Sequence, residues 1–111
     1  MRMVIISLAA LLLASCASSP TEPSSQPASS GMTAEVTARW AASCGLCHVR
    51  GEGGAPRSGD VDAWAPRVAQ GFETLMQHTI EGYNSMPPLG YCMACERADF
   101  EAMIRFMAGG S

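Results

Sequence analysis

The chain has 111 residues, 48% of them hydrophobic, with seven arginines, no lysine and ten acidic residues, for a formal net charge of −3. That length holds one small domain, and an acidic chain without basic stripes is excluded as a nucleic-acid binder, since Lys and Arg on phosphate supply most of that affinity. A domain of about 80 residues buries too little apolar surface to be secure alone, so a covalent staple or a large bound cofactor is expected.

Residues 1–15 read as a processed signal: Arg2, an apolar run from Val4 to Leu13, then Leu13-Ala14-Ser15-Cys16. That ending resembles a bacterial lipobox, in which the Cys16 thiol is joined to diacylglycerol and the peptide is cut just before it. The run is shorter than the roughly 18 apolar residues a membrane span requires. Two or three acyl chains, at about 0.8 kcal/mol per buried methylene, anchor firmly. Export places the protein in the oxidising bacterial periplasm, lipid-anchored to a membrane, and Ala17 after Cys16 favours the outer one. Cleavage removes Arg2 and leaves six arginines against ten acidic residues, a formal charge of −4. Residues 16–31 comprise the lipid-bearing Cys and a Ser/Pro-rich stretch with no aromatic side chain, which reads as a flexible tether. The folded domain is expected over residues 32–111.

That domain opens on the chemistry. Cys44-Gly45-Leu46-Cys47-His48 is the C-x-x-C-H signature of covalent c-type haem attachment. Met32 to Cys47 carry Val36, Trp40, Cys44 and Cys47 at the rhythm of one helix face, which predicts a continuous helix into the motif. Two thiols three apart on a helix have β-carbons about 5–6 Å apart, close enough for both to reach the two vinyl groups on one haem edge. His48 is then the candidate iron ligand on one side of the ring.

Between this motif and the next, Gly51-Glu52-Gly53-Gly54-Ala55-Pro56 allows the backbone to approach the haem edge closely. A ligating His gives its second ring N–H to an acceptor, and a carbonyl of this loop is the natural candidate. Asp60 can cap a short helical turn carrying Val61 and Trp64, with Pro66 limiting its length. Trp64 is expected in the core or the haem wall. Arg57 and Arg67 are candidate partners for the haem propionates.

The second ligand is expected from Asn84-Ser85-Met86-Pro87-Pro88-Leu89-Gly90. Thioether sulfur suits haem iron, and the prolines push Met86 into an extended, stiff strap. Met76, Met103 and Met107 fall at helical apolar positions and read as core. His78 is the rival ligand, but it falls on the polar side of a helix carrying Phe72, Leu75, Met76 and Ile80, which predicts a solvated surface residue. In Cys92-Met93-Ala94-Cys95 the following Glu96 rules out a second haem motif, and in an oxidising compartment the pair reads as a structural disulfide. A last helix is expected from about Glu96 to Met107, burying Phe100, Met103, Ile104 and Met107.

From about residue 35 to 108 the chain resembles cytochrome c5, a class I monohaem cytochrome of bacterial respiration. The matching stretches are Cys44 to His48, Ala55-Pro56-Arg57-Ser58-Gly59-Asp60 with Ala63-Trp64, Asn84 to Gly90, and Cys92 to Cys95 directly after the strap. The resemblance implies an all-α fold, a small helical domain wrapped around one covalent haem. It implies Cys44 and Cys47 as thioether links, His48 and Met86 as axial iron ligands, the Pro56 carbonyl as acceptor for the His48 ring N–H, and a Cys92–Cys95 disulfide. Iron with two protein ligands leaves no position open for substrate, so the expected function is a non-enzymatic, single-electron carrier of an envelope respiratory chain. Its expected partners are membrane respiratory complexes, oxidases or other cytochromes, met as a monomer. A zinc module built from Cys44/Cys47 and Cys92/Cys95 has far too wide a gap for a zinc ribbon. A thiol-exchange protein would need a strand pattern that is absent. A sensor or peroxidase would need Met86 to be displaceable.

Overall fold

The computed structural model describes residues 31–110; the expected signal, Cys16 and most of the tether lie outside the described residues. Five α-helices follow in order: α1 (Ala34–Ala42), α2 (Gly45–His48), α3 (Val61–Val68), α4 (Phe72–Glu81) and α5 (Arg97–Met107). Two 3₁₀ turns, Glu52–Gly54 and Pro88–Tyr91, interrupt them. Among the described residues there is no strand, only an isolated antiparallel bridge between Tyr83 and Met86. The expected all-α class is the observed one.

α1 starts at Thr33, whose side chain accepts from the Val36 amide at 3.2 Å, with Glu35 placed favourably in the first turn. The continuous helix expected to Cys47 does not form. Ser43 leaves helical geometry at φ −133°, ψ −91°, and its hydroxyl bonds back to the Arg39 carbonyl at 2.7 Å. A serine that satisfies the last turn with its own side chain competes with the next backbone bond and ends the helix. The break re-aims the chain, so that α2 presents the Cys44–His48 motif on a new axis.

Asp60 caps α3 as expected, accepting from the Ala63 amide at 3.0 Å. Pro66 does not end the helix, which runs on to Val68. The bond that Pro66 cannot make is the one to Asp62, and both residues are exposed, so water can serve the freed carbonyl. In α4 the buried face is Leu75, Met76 and Thr79, while Ile80 is 40% exposed rather than in the core. Thr79 can replace it inside because its hydroxyl is satisfied by the Leu75 carbonyl at 2.8 Å.

α5 is the central element. Its Glu96 amide is taken by Asp99 Oδ2 at 2.9 Å, and Arg39 reaches over from α1 to the same oxygen at 2.7 Å. Phe100, Ala102, Met103, Ile104 and Met107 are all buried. One apolar cluster gathers Val36, Cys44, Trp64, Ala102, Met103 and Met107, and a second gathers Leu75, Met76, Cys92, Phe100 and Ile104. α5 contributes to both, so the helix expected last in the chain joins the two halves of the molecule.

Candidate haem site

The site is assembled from two chain segments that meet over one cavity. The first begins at Cys44, which is buried with its sulfur 3.8 Å from Met103 Sδ. Burial pushes the Cys44 thiol up from its ordinary range, with the Ser43 hydroxyl acting the other way. Cys47 is half-buried, and neither cysteine is in a disulfide.

His48 is buried, 5% exposed, and its Nδ1 lies 2.7 Å from the Pro56 carbonyl oxygen. A carbonyl can only accept, so Nδ1 carries the proton and Nε2 keeps its lone pair free. Burial draws the imidazole pKa below its usual value, the Arg67 charge lowers it further, and the Pro56 bond opposes both. The ring is therefore neutral at neutral pH, the state a metal ligand requires. Trp64 stacks beside it, ring centres 5.7 Å apart, and is itself fixed by its Nε1–H donating to the Arg57 carbonyl at 2.8 Å. The Ser58 amide donates to the His48 carbonyl at 2.7 Å, so the backbone of His48 is tied as well as its ring.

The second segment is a stiff turn. Tyr83 and Met86 exchange both backbone bonds, at 3.0 and 2.9 Å, around Asn84 and Ser85, with Asn84 in the left-handed region at φ 52°. Pro87 and Pro88 fix the exit. Leu89, Gly90 and Tyr91 are then all left-handed. At Gly90, φ 52°, an added Cβ would stand in ordinary contact, 3.4 Å from Met86 Cε and 3.5 Å from Cys44 Sγ, so the two segments converge there, and it is the left-handed backbone that favours glycine.

Cys44, Cys47, His48, Pro56, Trp64 and Met86 all line the same cavity, of about 230 Å³. Cys16 alone among the sequence-predicted site residues lies outside the described residues. Cys92 and Cys95 form the expected disulfide, Cα atoms 5.3 Å apart, joining the end of the strap to the head of α5. That bond removes the second thiol pair a zinc module would need, and among the described residues no group of three or more His, Cys, Asp or Glu side chains could hold a metal ion.

The structure corrects the reading of His78. It is half-buried, lines the cavity, and stacks on Tyr83 with ring centres 3.9 Å apart. It stands three residues after Leu75 and one before Thr79 on α4, beside the buried face, a placement the spacing from Leu75 signals in the sequence. Arg67 also lines the cavity, while Arg57 does not.

A thiol pair spaced for two vinyl groups, an imidazole with one nitrogen committed and one free, a thioether on a rigid turn and an apolar wall fit a covalent haem as a donor set. Fold and site together define a small helical carrier domain for one haem. A family model described as "Cytochrome C oxidase, cbb3-type, subunit III" matches residues 31–107. Cytochrome c-555 of Chlorobaculum tepidum is 41% identical over 78 residues, 67% of this chain and 72% of that protein. Cytochrome c5 of Ectopseudomonas mendocina is 37% identical over 68 residues, 60% of this chain and 78% of its own. Among solved structures, the cytochrome c of an electron-transfer complex with nitrite reductase superposes with a TM-score of 0.61 at 32% identity, covering 69% of this chain and 94% of its own. The chain belongs to the cytochrome c family and is a cytochrome c5-like monohaem member of it. It is a haem-based electron carrier with one covalent c-type haem.

Proposed function

We propose that the protein carries single electrons in a bacterial envelope respiratory chain, with Cys44 and Cys47 as the thioether links and His48 Nε2 and Met86 Sδ as the axial iron ligands. The observation that carries this reading is the commitment of His48 Nδ1 to the Pro56 carbonyl at 2.7 Å in a cavity that Met86 also lines. The haem, when bound, supplies a one-electron couple.

The residues around it do the rest. Pro56 and Trp64 hold the imidazole at one angle, so that little has to move when charge changes. The His/Met pair raises the reduction potential relative to two histidines. His48 and Met86 together would leave a bound haem iron no position for a substrate, which favours a carrier rather than an enzyme.

The related cytochrome c found with nitrite reductase supports redox-protein partners for this chain as well. Such encounters bury little surface and release quickly. Cys16, lipidated on its thiol and made the first residue by cleavage of residues 1–15, is proposed to tether the carrier to the periplasmic side of a membrane, the outer one favoured by Ala17, as a monomer free to swing between partners on its Ser/Pro-rich leash. Mass spectrometry of the mature N-terminus tests the anchor.

Met86→Ala tests the ligand set. The expected product keeps its haem covalently attached but has an open sixth position, binds carbon monoxide when reduced and loses the near-infrared sulfur-to-iron band when oxidised. A variant that keeps the wild-type low-spin spectrum refutes Met86 as ligand.

A further inference from the structure

Among the described residues, one hydrogen bond joins the two lips of the haem cavity. On the His48 side, the Glu52–Gly54 turn and the Gly51 that precedes it carry three left-handed glycines, Gly51 at φ 84°, Gly53 at 61° and Gly54 at 81°. On the other side, the Tyr83–Met86 hairpin brings its tip across. The Ser85 hydroxyl donates to the Gly53 carbonyl at 2.6 Å, joining residues 32 apart in sequence. Among the described residues no other hydrogen bond links residues 51–56 to residues 82–91.

The hairpin that makes this contact behaves as one body. Its two backbone bonds close the turn, and an added Cβ at Gly82 would meet the Met86 carbonyl oxygen at 3.0 Å and Pro88 Cδ at 3.1 Å, so the segment is packed tightly upon itself. Its near end is held by the Tyr83 ring on His78 of α4. Its far end, next to Met86, is held by Ser85. The contact is also close enough that a Cβ at Gly53 would sit 3.1 Å from Ser85 Oγ.

We propose that Ser85 is a positioning residue that latches the Met86 hairpin onto the Gly53 turn and so limits how often the thioether leaves the iron. The proposal rests on Met86 as the distal ligand. Both partners are exposed, so water competes for the bond, and its loss shifts the opening equilibrium about fivefold, the net weight of one hydrogen bond.

The test uses the oxidised holoprotein and cyanide, which can bind only when Met86 has moved away. In Ser85→Ala the limiting rate of cyanide binding is expected to rise about fivefold, with the near-infrared sulfur-to-iron band still present at room temperature but lost at a lower temperature than in wild type. Ser85→Thr keeps a hydroxyl at the same place and is expected to restore the wild-type rate. Gly53→Ala, which presses on Ser85 Oγ, is expected to raise the rate too, and the double variant no further than the larger single effect. Val36→Ala, in the core on α1, serves as the control that lowers melting temperature without moving the cyanide rate.

An unchanged rate in Ser85→Ala, or equal acceleration in Val36→Ala, overturns the latch. A wild-type protein with no near-infrared band overturns Met86 as ligand instead, so the two failures are distinguishable.

Discussion

The two segments that build the cavity hold the proposed ligands, His48 and Met86, by opposite means. His48 sits in a helical turn, 5% exposed, with its ring bonded to Pro56, flanked by Trp64, and its backbone carbonyl bonded to Ser58. Met86 sits in a turn, half-buried, among residues in left-handed conformations: Asn84, Leu89, Gly90 and Tyr91. Helix geometry and burial fix the first; proline, glycine and local turn closure fix the second. A segment that keeps its shape through local backbone constraint opens at lower cost than one packed into the core, so the Met86 side is the side expected to give way first.

The largest expected effect lies on the His48 side. Replacing both Cys44 and Cys47 by Ser removes the thioether links, and acid-acetone is expected to extract all of the haem, against none from wild type. This is checked by the pyridine haemochrome spectrum of the pellet. Retention of haem by the double variant would contradict the assignment of those two residues.

Next in size is the point where the segments converge. Gly90→Ala places a Cβ against Met86 Cε and Cys44 Sγ at a left-handed position. The conformational cost is about 1–2 kcal/mol, and chemical denaturation should show that loss, while the added methyl stands at ordinary contact distance from Met86 Cε, so the near-infrared band is expected to persist. Loss of the band would show that the strap is tighter around Met86 than the geometry indicates.

The disulfide is of similar size. A loop as short as the one closed by Cys92 and Cys95 restricts the unfolded chain by about 2 kcal/mol in the chain-entropy account. Converting both to Ser is expected to lower the melting temperature by about 8–16 °C at most. The attachment of the haem should be untouched, because the cysteine pair borders the strap and not the Cys44–His48 turn. The smallest effect is Asp60→Ala, which removes the α3 cap at a cost of about 1 kcal/mol, with no spectral change.

Much of this architecture was legible in the residues. The motif at Cys44 to His48, the cap at Asp60, the strap at Met86, the Cys92–Cys95 pair and the apolar face of α5 each follow from a local rule: thiol spacing, capping chemistry, proline stereochemistry, helical periodicity. The misreadings share a cause. Ser43 ends α1 through its own hydroxyl, and Thr79 displaces Ile80 from the interior through its own hydroxyl. Both outcomes depend on a side chain satisfying itself against the backbone, which a count of apolar positions does not register. His78 followed from the same error, since the true face of α4 is rotated by about one residue from the one the apolar pattern suggests. The Ser85–Gly53 contact spans 32 residues between two loops, and no local pattern encodes it.

The measurement that tests the central claim most directly is the optical spectrum of the matured protein, oxidised and dithionite-reduced, with a pyridine haemochrome assay after acid-acetone extraction. The account predicts sharp reduced α and β bands, a weak near-infrared sulfur-to-iron band in the oxidised form, and haem that resists extraction. A colourless protein, or haem that extracts freely, would contradict it.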